Sequence, residues 1–328
     1  MPDPAPHPET RSSPHLHTGR RVPHLMVATL FALAPGVIVQ ALFEGPRVIV
    51  HVTIAVVASV VCETLALTLR RRSRREPLLD GSVILTGLLI GICIPAGAPV
   101  WIPLVAAAFG VLVGKHVYGG VGQNLFNPAM VGYVMVLVAF PYEMTQWGGG
   151  TSAWFAVDGL SGATPLDFVR TTIVVTGSWA PIYEDPSFLQ ALIPRYWIAG
   201  AFALGGFWLC WRGIADWRLA SGTLVAIALL SATLGFLRPG QFPDPLTELV
   251  LGASVVGAFF IVTDPVTAPS AGWSRWWFGI AIGCLVVIIR RWGSYPDGFG
   301  FAVLIMNATV PLWEHWTRRR RGFLASRR

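Results

Sequence analysis

Charge is what this sequence has least of. Only 12% of its 328 residues are Asp, Glu, Lys or Arg, whereas a soluble domain carries about 25%. Lysine is nearly absent: Lys115 stands alone, and every other basic residue is Arg. This deficit excludes an ordinary water-facing surface. Cysteine is sparse too, with Cys62, Cys93, Cys210 and Cys284 each isolated in an apolar run. Without C-x-x-C spacing, an iron–sulfur or zinc site built by this chain alone is not expected, and the thiols read as small apolar side chains. A cleavable signal peptide is not expected either. The first twenty residues are polar and rich in Pro and His, so insertion is expected to use the first membrane helix itself. His7, His15, His17 and His24 read as part of a disordered tail rather than a metal site. The net charge of +7 does not point to nucleic acid, because the basic residues sit at the ends of apolar runs.

What remains is oily: 54% hydrophobic residues and a mean hydropathy of +0.60. A membrane helix needs about 20 apolar residues to cross about 30 Å of hydrocarbon. Ten segments are candidates: 25–43, 48–69, 81–95, 99–114, 127–140, 195–211, 219–237, 246–263, 273–290 and 298–313. The third, fourth and fifth are short and broken by Gly and Pro, as half-helices lining an internal site often are. If ten helices alternate from a cytoplasmic N-terminus, the outer segments hold only Arg47, Arg170, Arg195, Arg238, Arg290 and Arg291. The other 18 of the 24 basic residues are then cytoplasmic, which fits the positive-inside rule. The expected organisation is a cytoplasmic tail (1–23), a first membrane half (24–140), an outer loop (141–194), a second half (195–316) and a basic cytoplasmic tail (317–328). The run Gly81-Ser82-Val83-Ile84-Leu85-Thr86-Gly87 leading to Pro95 echoes Gly252-Ala253-Ser254-Val255-Val256-Gly257 leading to Pro265. Five helices per half would force the second half to enter upside down, giving inverted repeats.

Several polar features interrupt the oil. Asp158-Gly159-Leu160-Ser161-Gly162-Ala163-Thr164 is a short polar sentence in the outer loop. Its last residue, followed by Pro165-Leu166-Asp167, also reads as a helix start with Thr as N-cap. That reading is compatible with a phosphate, for which a helix N-terminus is a natural seat. Gly119, Gly120 and Gly122 allow a tight turn with positive φ. Their amides suit an anion, or they simply form a cytoplasmic turn. Asn127-Pro128 reads as a half-helix start. Glu63 lies within the second apolar segment, where an ionisable group is costly. A proton or sodium path is one role; the preferred reading is pairing with a nearby Arg, with the helix end letting the carboxylate reach the interface. Asp264 beside Pro265 is suited to capping a broken helix or binding a cation. Trp101, Trp197, Trp211, Trp273, Trp276 and Trp277 read as interfacial belt residues.

The D-x-x-S-G-A-T pattern at 158–164 resembles the site where a flavin transferase esterifies a threonine with the phosphate of FMN. That site belongs to the D subunit of the Rnf/Rsx ion-translocating electron-transport complex and to the related B subunit of the sodium-pumping quinone reductase. The stretch 114–130 resembles the D-subunit run G-K-x-x-[FY]-G-G-x-G-x-N-x-F-N-P-A-M. Phe259-Phe260-Ile261-Val262-Thr263-Asp264-Pro265-Val266-Thr267 and Tyr295-Pro296-Asp297-Gly298 with Phe301-Ala302-Val303-Leu304 and Asn307 match as well, as does Pro35-Gly36. The likeness runs in order from about residue 15 to about 315. The chain departs from many members between Pro141 and Asp158, where it is short and Gly-rich.

The resemblance implies an all-α polytopic fold similar to urea transporters, with about ten helices in two inverted five-helix halves. It implies covalent FMN on Thr164 within the attachment motif Asp158, Ser161, Gly162 and Ala163, and a family that also holds riboflavin between helices. Gly119, Gly120, Gly122 and Asn127 are further candidate cofactor-binding residues. Expected partners are the A, B, C, E and G subunits, above all the flavin-bearing G subunit, together with a flavin transferase and the lipid bilayer; no nucleic acid is expected. The expected location is the bacterial inner membrane, and the expected role is a relay in electron transfer between ferredoxin and NAD coupled to ion movement. A urea-transporter-like solute channel without flavin is the rival, and a structural scaffold for neighbouring subunits is a third reading.

Overall fold

The structure is a computed structural model that describes residues 22–120, 122–146, 165–179, 182, 186–295 and 297–325. Among these residues no strand occurs; the chain is helical. Its elements are α1 (Val22–Glu44), α2 (Arg47–Leu69), α3 (Arg75–Leu79), α4 (Ser82–Cys93) and α5 (Trp101–Phe109), which continues as a π-helix over Gly110–His116. Then follow α6 (Pro128–Ala139), α7 (Pro165–Thr176), α8 (Pro186–Trp211), α9 (Trp217–Leu237) and α10 (Pro245–Val250). The chain closes with α11 (Ser254–Val256), continuing as a π-helix over Gly257–Ile261, then α12 (Gly272–Trp292) and α13 (Phe299–Ala325).

The helices α1, α2, α9 and α12 are long and apolar enough to cross a membrane, while α4, the α5–π segment and α6 are apolar but shorter. The expected shortness of the third to fifth segments is therefore seen. The eighth, 246–263, departs from expectation. It is broken: Leu251 is extended and Gly252 is left-handed at φ +67°, so α10 and α11 are separate pieces. The sixth begins nine residues before position 195, because Pro194 lies inside α8 rather than at its start. The tenth runs on to Ala325 through Pro311.

Contacts define two ends. At one, Arg70 donates to the His116 carbonyl, Asn127 to Asp264, and Ser270 to Glu314. With Arg70, Arg71, Arg72, Arg212, Arg218 and Arg275 nearby in sequence, this is the basic end. At the opposite, loop end, His51 faces the Ala98 carbonyl, Arg195 pairs with Glu44, Trp179 donates to the Gly240 carbonyl, and Arg170 donates to the Gly293 carbonyl. Small residues let the helices approach closely, as is common where no hydrophobic force separates lipid from protein. Gly87 and Gly91 of α4 lie against the α2 backbone at Ala55, Val56 and Val52, and Gly279 and Gly283 of α12 against Leu219 and Thr223 of α9. The outward faces keep large apolar side chains exposed, including Phe31, Leu42, Leu204 and Phe236. This lipid-suited surface surrounds a core of Leu33, Ile90, Ile102, Ile227, Ile282 and Val286.

Both runs that echo each other form short helices just after a left-handed glycine. Gly81 (φ +80°) precedes α4, and Gly252 precedes α11; each helix ends in a proline-containing turn. One begins at the basic end and the other at the loop end, as inverted halves would require.

Candidate functional site

Two cavities open toward opposite ends. The basic-end cavity is lined by the start of α4 (Ser82, Thr86), by Lys115, Asn124 and Asn127, and by Phe260, Thr263 and Asp264 from the end of the second π-helix. The loop-end cavity is lined by Gln40, Cys93, Met130, Tyr133, Leu166, Arg195, Phe202, Gly252 and Asp297. Residues of their two linings adjoin. Ala129 lines one cavity and Met130 the other, and Phe260 and Phe202, one on each side, meet edge to face with ring centroids 6.2 Å apart.

Asn127 is the keystone of the basic-end cavity. Its side-chain oxygen accepts from the Ala129 and Met130 amides at 3.0 and 3.3 Å, so it caps α6 with Pro128 at the first turn. Its amide nitrogen faces Asp264 Oδ2 at 3.4 Å, and its backbone N–H donates to Asn307 Oδ1 at 3.1 Å. Asp264 also accepts from the Val266 amide and the Thr267 hydroxyl, and Asn307 donates to the Thr267 carbonyl. Burial pushes the Asp264 carboxyl above the ordinary aspartate value, and these three donors hold it down in part. A carboxylate, two amides and the open end of a π-helix thus meet at one cavity wall. All three side chains stand in stretches singled out from sequence, but the meeting of positions 127, 264 and 307 was not legible there.

Glu63 corrects an expectation. It does not reach the interface or pair with Arg; it is buried, with Oε2 2.9 Å from Lys115 Nζ and 3.0 Å from His116 Nε2. The π-helix explains the arrangement. Consecutive residues on an α-helix point about 100° apart, and the wider π turn, frequent at functional sites, brings Lys115 and His116 to the same carboxylate. Lys115 also donates to Ser82 Oγ at 3.2 Å.

A second buried charge cluster sits at the loop end and escaped sequence reading. Arg290 donates to the Glu248 carbonyl (2.8 Å) and carboxylate (3.3 Å), to the Leu251 carbonyl (3.1 Å), to Ser254 Oγ (2.9 Å) and to Asp297 Oδ1 (3.2 Å). Arg291 pairs with Glu248 as well, and Asp297 accepts from the Ala253 and Phe299 amides. Charged residues inside the apolar segments 246–263 and 273–290 were the available signal.

Asp158, Ser161, Gly162, Ala163 and Thr164 lie outside the described residues. The described chain resumes at Pro165 as the 12-residue helix α7, whose Leu166 and Val169 pack with Ile182, Phe188, Leu192 and Leu251. Gly119, Gly120 and Gly122 do have positive φ. The Gly119 carbonyl accepts from Arg72 at 3.0 Å, and the Gly120 amide donates to the Lys115 carbonyl. This turn belongs to the basic end, whereas α7 docks at the loop end.

Residues 9–322 match the family described as NQR2, RnfD, RnfE. A protein of Mannheimia succiniciproducens, named as the D subunit of an ion-translocating oxidoreductase complex, is 38% identical over 94% of this chain and 96% of its own length. Its namesake from Escherichia coli strain SMS-3-5 shows the same identity and coverage. That from Actinobacillus succinogenes is 37% identical over the same shares.

Proposed function

The chain belongs to the NQR2, RnfD, RnfE family, and we propose that it is the D subunit of an Rnf/Rsx-type membrane complex coupling electron transfer between ferredoxin and NAD to ion movement. The observation that carries this reading is the D-x-x-S-G-A-T motif at 158–164, set in a chain whose relatives are named as that subunit. FMN esterified to Thr164 would supply reversible one- and two-electron chemistry. The protein's part is placement. Thr164 directly precedes α7, whose first-turn amides carry partial positive charge suited to a phosphate. Leu166, two residues on, stands in the wall of the loop-end cavity, so the carrier is tethered close to that opening. Ser161, Gly162 and Ala163 are small enough for a transferase active site to close over the threonine hydroxyl, and Asp158 gives the motif its acid. The Gly119–Gly122 turn is available at the other end for the polar edge of a non-covalent flavin such as riboflavin.

With the basic end in the cytoplasm, as charge bias favours, the loop end faces outward, where the G subunit would meet the flavin. The two cavities, with their adjoining linings, offer an ion a path that is interrupted once. A urea-transporter-like channel draws on the same opposed cavities, but it leaves residues 158–164 without a role.

The test is ultraviolet fluorescence of the denatured chain on a gel after co-expression with a flavin transferase. Wild type is expected to fluoresce and Thr164→Val not to. Fluorescence in Thr164→Val would overturn the assignment, and a dark wild type would return the chain to the channel reading.

A further inference from the structure

Among the described residues, the buried side-chain polar atoms without a directed hydrogen bond are His51 Nδ1, Ser59 Oγ, Glu63 Oε2 and both ring nitrogens of His116. Three of the five belong to the contact between α2 and the first π-helix. Glu63 Oε2 lies 2.9 Å from Lys115 Nζ and 3.0 Å from His116 Nε2. His116 Nδ1 has no hydrogen-bond partner. A buried imidazole nitrogen with a free lone pair is a place for a proton.

The loop-end cluster shows what a closed version looks like. There Arg290, near the end of α12, reaches back to Ser254 in the first turn of α11 while paired with Glu248. At the basic end Lys115, near the end of the α5–π segment, reaches back to Ser82 in the first turn of α4 while paired with Glu63. Each cation thus ties the start of one short helix to a buried glutamate. Arg290 is saturated by five acceptor groups, whereas Lys115 has two partners.

We propose that Glu63, Lys115 and His116 form a proton-binding site beside the basic-end cavity, in which protonation of His116 at Nδ1 frees Lys115 from Glu63 into the cavity. The inference rests on the reading of the chain as a membrane component of an ion-translocating complex. With His116 neutral, Glu63 has one cationic partner, Lys115. A proton added at Nδ1 makes His116 a second cation against the same carboxylate oxygen. Glu248 takes Arg290 and Arg291 on separate oxygens, whereas Lys115 and His116 share the single oxygen Glu63 Oε2, so two cations there repel each other and the one on the longer, more flexible stem, Lys115, swings away. The proton is delivered from solvent as hydronium: one of its O–H bonds breaks to leave neutral water as the N–H bond at Nδ1 forms. The other charged or titratable groups at this contact are Arg70, on the His116 carbonyl, Arg72, on the Gly119 carbonyl, and Asp80, which accepts from the Ser82 amide. Imidazole is the side-chain type that gains or loses a proton near neutrality.

Because Lys115 is the chain's only lysine, its reactivity can be read without labels. The full chain, within its complex in nanodiscs, is treated with an amine-acylating reagent alongside a free lysine peptide in the same tube. Modification of Lys115 is followed by mass spectrometry as a ratio to the peptide, which cancels the reagent's own pH dependence. Protection of Lys115 is expected to fall about tenfold from about pH 8 to about pH 6, and to stay within about twofold in His116→Gln, whose amide cannot take the proton. Glu63→Gln removes the anchor, so Lys115 is expected to react readily at both pH values. Unchanged protection in wild type, or the same fall in His116→Gln, overturns the proposal. Should His116→Gln fail to assemble, the wild-type and Glu63→Gln profiles still decide it. A chain that carries no flavin would defeat the proposed function yet leave this ratio readable.

Discussion

Arg290→Ala is expected to unfasten the break between α10 and α11. The guanidinium touches four residues: Glu248, Leu251, Ser254 and Asp297. All of it is buried. Removing one partner of a buried ion pair costs about 3–5 kcal/mol, because the remaining charge is left uncompensated. Here Glu248 keeps Arg291, and Asp297 keeps the Ala253 and Phe299 amides, which argues for the lower half of that range. The Leu251 and Glu248 carbonyls lose donors at about 1 kcal/mol or more each. The sum, taken as overlapping rather than additive, is about 4 kcal/mol. Arg290→Lys keeps the charge, but its three protons on one nitrogen cannot span four residues, so a loss of about 2 kcal/mol is expected. Reversible denaturant unfolding in bicelles, followed by tryptophan fluorescence, measures both. An Arg290→Ala chain within about 1 kcal/mol of wild type would refute the claim that this residue fastens the break.

Three further tests concern other sites. Gly205→Ala is expected to cost about 1–3 kcal/mol, because its new methyl would strike the Ala32 carbonyl where α8 crosses α1. Gly200→Ala in the same helix has open space and is expected to be neutral or to stabilise by up to about 1 kcal/mol; the same unfolding assay separates the two. Asp264→Asn tests burial of the acid. A carboxyl whose folded value is raised holds its proton more tightly when folded. It contributes stability that is full below the ordinary aspartate range and is lost as pH rises through the folded value. The substituted amide cannot ionise, so the variant is expected to gain on wild type between acid and neutral pH, and parallel stability curves would contradict this. Thr164→Val in the assembled complex is expected to abolish electron-coupled ion uptake into liposomes, whereas uptake at the wild-type rate would favour a scaffold.

Helix positions were largely legible because a run such as 48–69 is long and apolar enough to cross a membrane, even with His51, Ser59 and Glu63 on its buried face. The limits of α2 and α9 lie within two residues of those expected. Glycine and proline marked the short pieces, and the likeness between residues 81–87 and 252–257 proved to be a likeness of helix starts. Other features depend on distant pairings. Nothing local told that Lys115 would meet Glu63, because that needs the π turn that rotates it and the packing of α2 against the segment. The segment expected from 195 starts earlier, at Pro186, with Pro194 inside α8 rather than before it. Segment 246–263 read as one span although Glu248 interrupts its hydrophobicity. The break at Leu251 and Gly252 is imposed by Arg290, which draws the Leu251 carbonyl and its neighbours around one charge.

The contrast between the two charge clusters bears on how opposed cavities would serve ion movement. A path open at both ends would dissipate any gradient, so at least one side must change while the other holds. Energetically, a side that holds needs a cation whose donors are all engaged, and a side that changes needs one whose grip can be cancelled by a small event. Arg290, planar and surrounded by acceptors, meets the first requirement: moving it would remove one donor at once from two carboxylates and two carbonyls, although Arg291 and the Ala253 and Phe299 amides would stay in place. Lys115 meets the second, since it is a point charge on a flexible stem and its counter-ion already faces a competing imidazole. Exchanging the two chemistries would reverse the roles. Lys115→Arg would add bidentate bonds to Glu63 and should shift the pH at which position 115 is released to lower values. If that variant instead released at higher pH than wild type, charge competition at Glu63 would not be what holds the basic end.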